Sequence, residues 1–234
     1  MVALFTRISL AILFISLVSC GGGNIFNRKN EGIIFFDVSF PYEQNSIRLE
    51  LYPKEMTFEF HKDQMHASIS SSFGVVATDI YIDNKNKKFT QILKSFGEHY
   101  GMSLDESNIK TWTDRQQITR IESTADTLTI AGFLCKKSIA YLPNDSLPPI
   151  QLYFTDEIKI DQSNWWNQFH EIEGCLLAYE VEQYGKRMRL VAREVRFQDV
   201  APESFTIPSG TTAVDADGMY DQMDKLMKEF MGAE

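Results

Sequence analysis

Histidine and cysteine are scarce in this chain: four histidines and three cysteines in 234 residues. That leaves no framework of paired cysteines and no array of metal ligands at zinc spacing. Basic residues are also few, 23 against 32 acidic ones, for a net charge of −9. This balance excludes a nucleic-acid surface and argues against electrostatic binding to anionic headgroups. No G-x-S-x-G, C-x-x-C, P-loop or Rossmann glycine pattern occurs, so the familiar signatures of nucleophile, redox and nucleotide chemistry are missing. There is no internal repeat. Long apolar runs are absent too, save one near the start, Ile8 to Val18. It falls well short of the roughly 20 residues needed to span a hydrocarbon core.

That run has the make-up of a secretory leader: Arg7 supplies the positive flank and Ile8–Val18 the apolar stretch. It ends in Leu17-Val18-Ser19-Cys20, which resembles the lipobox of bacterial lipoproteins. The resemblance implies cleavage between Ser19 and Cys20 and a covalent lipid on the Cys20 thiol. No other cofactor is expected. Residues 1–19 are then the signal peptide, and residues 20–31 a lipidated tether opening on Gly21-Gly22-Gly23. Neither an acidic run nor an aspartate follows Cys20. The expected location is therefore the cell envelope, on the periplasmic face of the outer membrane.

From residue 32 to 212 the sequence predicts one β-rich domain. Met56, Phe58 and Phe60 alternate with polar residues, as do Met65, Ala67 and Ile69, with Lys62-Asp63 as the turn between them. Strands are expected near 75–82, 88–93 and 98–103, then a short helix within 104–113. Ile33-Ile34-Phe35-Phe36 is apolar on both faces, as in a strand covered on both sides. A second meander begins near Gln117. In it Gly132 suggests a bulge or close backbone approach, and the apolar phase slips between Ala192 and Val195, a second bulge. Residues 213–234 read as an amphipathic helix carrying Met219, Met223, Leu226, Met227 and Phe230, with Asp217 as its cap.

Several segments resemble envelope lipoproteins of Bacteroidota, the domain of unknown function 4412 and GLPGLI-like group. They are Ile130-Ala131-Gly132-Phe133-Leu134-Cys135-Lys136-Lys137, Tyr153-Phe154-Thr155-Asp156-Glu157-Ile158, Phe169 to Glu180 and Phe205-Thr206-Ile207-Pro208-Ser209-Gly210. Cys175-Leu176 stands where that group usually has an apolar residue and proline. The resemblance covers about residues 32–212 and implies a LolA-like open half-barrel: mainly β, a strongly curved antiparallel sheet with one or two short helices and a C-terminal amphipathic helix. It brings no activity with it.

Candidate chemistry is thin. His170-Glu171 begins like a metalloprotease helix, but Gly174 stands where the second histidine ligand belongs. His61 and His66 flank one hairpin as expected solvent-facing residues, and no metal site is expected. Asp156 and Glu157 are adjacent and would point to opposite faces of a strand. Cys135 and Cys175 fall on strands separated by a third, beyond the roughly 7 Å limit for a bridge, so two buried thiols are favoured over a disulfide. Trp165, Trp166 and Phe169 read either as a lid or partner contact or, preferably, as a plug for the open end of the sheet. Asp126-Thr127-Leu128 and Asp145-Ser146-Leu147 resemble O-glycosylation acceptors, at Thr127 and Ser146.

The leading expectation is a non-enzymatic lipoprotein that binds an apolar ligand, a lipid or acyl chain. Phe58, Phe60, Phe154, Tyr179, Trp165 and Trp166 are its expected lining. The alternative is a structural or protein-interaction module whose partner is another envelope protein. A hydrolase without a recognisable motif stands third. The membrane, reached through the anchor, is the partner common to the first two, and nucleic acid is not a partner.

Overall fold

Alternation of apolar and polar residues along short segments yields strands with one buried face, and such strands dominate the twelve that join here into one sheet. The computed structural model describes residues 29–44, 46–114, 118–143, 148–183 and 186–231. The leader, Cys20, most of the tether and Ser146 lie outside the described residues. The first meander comprises β1 (Glu31–Ser39), β2 (Glu55–His61), β3 (Gln64–Ser70), β4 (Val76–Asp83), β5 (Lys88–Ser95) and β6 (Glu98–Asp105). The second comprises β7 (Arg120–Ile130), β8 (Phe133–Tyr141), β9 (Ile150–Thr155), β10 (Cys175–Gln183) and β11 (Lys186–Arg196). β1 pairs antiparallel with β11 and so welds the two meanders together. A two-residue strand, β12 (Thr212–Ala213), lies parallel on β6. The order is β12-β6-β5-β4-β3-β2-β1-β11-β10-β9-β8-β7; the two edge strands do not pair, so the half-barrel stays open.

Three helices accompany the sheet: α1 (Ser46–Leu51), α2 (Glu106–Thr113) and α3 (Ala216–Met231). Asp105 caps α2 by accepting from the Ser107 and Asn108 amides. In α3 the side chain of Asp215, rather than the expected Asp217, accepts from the Gly218 amide at 2.8 Å. The helix thus starts one residue before Asp217. Met219 and Leu226 bury the inner side of α3, whereas the side chains of Met227 and Phe230 lie outside the described residues. No helix of the described residues is long and apolar enough to cross a membrane.

The inner face carries Ile34, Phe36, Phe60, Met65, Ile82, Phe89, Leu93 and Met102, all buried. The phase slip in β11 is a bulge: Phe35 pairs with Glu194 and Phe36 with Ala192, leaving Arg193 unpaired. Gly132 is not at a bulge. With Ala131 at φ 49 and Gly132 at φ 86, it forms the tight turn between β7 and β8. Nor is β1 sandwiched between layers. Its outward Phe35 ring is covered by the guanidinium groups of Arg196, at 4.6 Å, and Arg193, at 6.0 Å.

Residues 156–174 fold back across the sheet end that holds the β4–β5 turn. Asn164 Nδ2 donates to the carbonyls of Ile172 and Gly174, and Ser163 Oγ donates to Gly174 O, which knots the loop on itself. Trp165 Nε1 then donates to Asn84 Oδ1, and Asn84 Nδ2 to Asp161 O, pinning the loop to the turn. Trp166 stacks on Phe89 with ring centroids 5.8 Å apart. The excursion is a plug.

Candidate functional site

Plugging one end of the half-barrel leaves a cavity of about 220 Å³ above the inner face of β2 to β5, β10 and β11. The strands contribute Met56 and Phe58, Ala67 and Ile69, Val76 and Ile80, Phe89 and Gln91, Tyr179 and Val181, Met188 and Leu190. Each pair is two or four residues apart, the spacing that puts side chains on one face of a strand. Trp112 of α2, Met223 and Leu226 of α3, and Trp166, Gln168 and Phe169 of the plug close the remaining sides. Phe89, Gln91, Trp112, Phe169 and Leu190 are buried, whereas Phe40, Pro53, Ser71, Val76 and Lys186 are only half-buried. The latter lie at or just beyond the ends of β1, β2, β3, β4 and β11 away from the plug. That end is the mouth.

Of the six aromatic residues expected to line a ligand site, three line this cavity: Phe58, Tyr179 and Trp166. Phe60 shares the face of Phe58 but is fully buried, edge-on to Phe197 at 6.5 Å. Phe154 belongs to a separate core cluster with Ile150, Leu152, Phe169 and Leu176. Trp165 turns away from the cavity because Asn84 holds its indole N–H and Lys87 covers its ring at 4.9 Å. The lining that the sequence reading missed comes from Trp112, Met223, Leu226, Met188 and Lys186. Their alternation and helical spacing were visible, but not their convergence on one space.

Lys186 is the one charged side chain among the described residues lining the cavity. Its Nζ donates to Glu43 Oε2 at 2.7 Å, and the Tyr52 hydroxyl donates to the same oxygen at 3.2 Å. The bond to Glu43 holds the Lys186 pKa above its ordinary value, against the opposing effect of burial. Burial pushes the Tyr179 phenol far above its usual range. The described lining contains no histidine, cysteine or carboxylate. These groups can bind and orient an apolar molecule but hold no proton poised near neutral pH.

The other titratable cluster lies on the outer face. His66 is not solvent-facing: its side chain is 13% exposed and both ring nitrogens meet carboxylates. Nδ1 lies 3.1 Å from Glu59 Oε2 and Nε2 lies 3.2 Å from Asp79 Oδ1. Tyr81 stacks on the imidazole at 4.5 Å, and Lys94 Nζ sits 2.6 Å from Asp79 Oδ2. A 3-10 turn at Pro202–Phe205 roofs the cluster, with Ser204 Oγ donating to Glu59. Burial alone would lower the His66 pKa, but the bonds to Asp79 and Glu59 and their charges outweigh it and raise the value. Asp79 is held well below the usual carboxylate range: burial opposes, while His66, Lys94 and Ser68 prevail. Burial, then the charges of Asp79 and Glu59, push Tyr81 up to about 12. Carboxylates accept and do not donate, so a site with one at each ring nitrogen favours the imidazolium form, in which both nitrogens carry protons.

The remaining sequence candidates are dispersed. His61 Nδ1 lies 4.0 Å from Glu31 Oε1, and His170 and Glu171 are exposed in a turn rather than a helix. Asp156 pairs with Lys136, and Glu157 with Lys29. Cys135 and Cys175 are both free and buried. Thr127 is exposed on the edge strand β7. Among the described residues, no group of three or more His, Cys, Asp or Glu could hold a metal ion.

No family model matches the chain, and no curated protein matches it. Among solved structures it is similar to PNGF-II, with TM-score 0.51 and 16% identity over 82% of this chain. The match covers only 32% of the PNGF-II chain, so the protein spans about a third of that relative's length. It also matches MucB, with TM-score 0.32 and 8% identity over 79% of this chain and 62% of that one. LprF from Mycobacterium bovis matches with TM-score 0.30 and 14% identity, over 80% and 93% of the two chains. The likeness to PNGF-II shows a shared fold.

Proposed function

We propose that this protein is a non-enzymatic carrier of the bacterial envelope whose half-barrel binds a lipid or acyl chain. In this reading it is held through acylated Cys20 at the periplasmic face of the outer membrane, among the GLPGLI-like lipoproteins that its short motifs resemble. One observation carries the reading. A sheet that could have filled its own interior instead keeps an apolar cavity of about 220 Å³, open at one end. Concave sites of predominantly apolar lining are the kind that take apolar guests. The anchor follows from Cys20, and Cys20→Ala should move the protein from the membrane to the soluble fraction.

Native mass spectrometry of the protein from its own host, with extraction of bound lipid, tests the binding. Ala67→Met should fill part of the cavity, keep the fold and abolish co-purifying lipid. Wild-type protein recovered without lipid and unable to take up a fluorescent fatty acid would overturn the reading. A second reading, a structural or interaction module, draws on the PNGF-II likeness, where a similar fold occupies a third of a longer chain. It predicts a bound protein and an empty cavity in the same experiment.

A further inference from the structure

We propose that the mouth of the half-barrel docks on a lipid bilayer, with Phe73 and Phe96 as the side chains that enter its interface. The proposal rests on the carrier reading for its purpose, since a water-insoluble ligand must pass from a lipid phase into the cavity. Both residues sit in tight turns, Ser71-Ser72-Phe73-Gly74 and Ser95-Phe96-Gly97-Glu98, where polar residues are the rule. They are the most exposed large apolar side chains among the described residues, at 69% and 65%. The two turns are neighbours: the Phe96 amide donates to Val75 O at 3.4 Å. Both lie at the mouth, because the β3–β4 turn that carries Phe73 continues into Ser71, Val76 and Ala77 of the cavity lining.

Phe96 also breaks a local rule. It stands at φ 48, the left-handed region that asparagine, aspartate or glycine occupy at lower cost in such hairpin turns. Most of the ring nonetheless remains exposed to water.

Charge names the occupant. Among the described side chains, cations near this end come paired: Lys186 with Glu43, Lys54 with Glu50, Lys94 with Asp79, and Arg193 with Asp37 and Glu55. These described pairs leave no positive excess to attract an acidic partner, so contact with a zwitterionic surface through inserted rings fits best. It should also be insensitive to salt. Chain length permits it. Lys29 is fixed at the plugged end by Lys159 N–H and Glu157, opposite the mouth. Residues 20–28, fully extended, reach about 30 Å. That equals the length of the nine-residue β1, about 30 Å, so a domain tethered at Cys20 can lay its mouth on the same membrane.

The test uses the full chain, held by its own anchor in phosphatidylcholine vesicles. A nitrobenzoxadiazole label, itself an apolar ring, replaces the phenyl group in Phe73→Cys; a control label is placed at the plugged end in Lys85→Cys. Quenching by spin-labelled lipid should be strong at position 73, weak at 85, and unchanged by salt. In unlabelled protein, Phe73→Ser with Phe96→Asn should slow transfer of a pyrene fatty acid from donor vesicles about tenfold, well within the burial free energy of one phenyl ring. Affinity for the same fatty acid added from solution should stay unchanged. Equal quenching at 73 and 85, or an unchanged transfer rate, would overturn the docking surface and leave the carrier reading standing. Selective quenching at 73 with no fatty acid bound would support docking and overturn the carrier reading.

Discussion

Trp165 Nε1 and Asn84 Oδ1 meet at 2.7 Å, joining the plug to the β4–β5 turn from positions 81 residues apart. Because Asn84 also donates to Asp161 O, its buried amide bonds two groups of the plug at once. The same contact decides the form of the cavity. It turns Trp165 outward, leaves Trp166 to stack on Phe89, and makes one end of the half-barrel a floor.

Asn84→Ala should therefore cost about 1–3 kcal/mol, the range for leaving buried polar groups unpaired. Trp165→Phe removes one of the same bonds, so the double variant should be less damaged than the two single losses added together. Urea unfolding of the four proteins measures this. Strictly additive losses would show that the plug is held elsewhere.

Glycine plays two physically distinct roles, which substitution separates. A Cβ on Gly32 would sit 2.3 Å from the Arg196 carbonyl oxygen, at the end of β11. Gly32→Ala must push the backbones apart and should cost about 1–3 kcal/mol or more, as overpacking does. A Cβ on Gly132 would meet nothing within 4 Å, but the residue lies at φ 86. Gly132→Ala should cost about 1–2 kcal/mol through torsion alone. Gly132→Asn, which tolerates that conformation, should recover much of the loss, whereas Gly32→Asn should be worse than Gly32→Ala. Thermal melts of the four variants give the comparison.

What the sequence made legible was whatever has a local period. The β2–β3 hairpin, the bulge in β11 and the span of α3 follow from alternation, a phase slip and helical spacing. Depth was not legible. Phe58 and Phe60 occupy the same face two residues apart, yet one lines the cavity and the other packs under Phe197. Alternation assigns a face, while the covering element comes from far along the chain. The same holds outside, where residues 202–205 return over β3 and His66 is largely covered. Phe96 carried a signal that could have been read: an aromatic before glycine in a two-residue turn.

The outer-face cluster makes stability depend on pH in a defined direction. The folded His66 pKa is raised above its unfolded value near 6.5, so its contribution is fully present below that pH and disappears as pH rises through the folded value. Asp79 works oppositely: its folded pKa is depressed, so its contribution is present above about pH 4 and is lost as pH falls through the folded value. The cluster should stabilise most between about pH 4 and 6.5. His66→Gln should lower the melting temperature at pH 6 more than at pH 9. Parallel profiles for the two proteins would show that the imidazole carries no charge in the fold.

Cys135 and Cys175 offer a test of how tightly the second meander packs. Burial pushes the Cys135 thiol up to about 11 and the Cys175 thiol up to about 12. Thiolate is the reactive form, so at pH 8 native protein should leave both thiols untouched by Ellman's reagent. Both should react together once denaturant unfolds the sheet, at the midpoint reported by tryptophan fluorescence. Reduction should change neither mass nor melting temperature, since the two are free. Reaction of Cys135 alone at low denaturant would mean that the β7–β8 hairpin, which ends in the exposed Leu128 and Leu134, opens before the rest. That would be the expected weak point of an open sheet, because β7 has a neighbour on one side only.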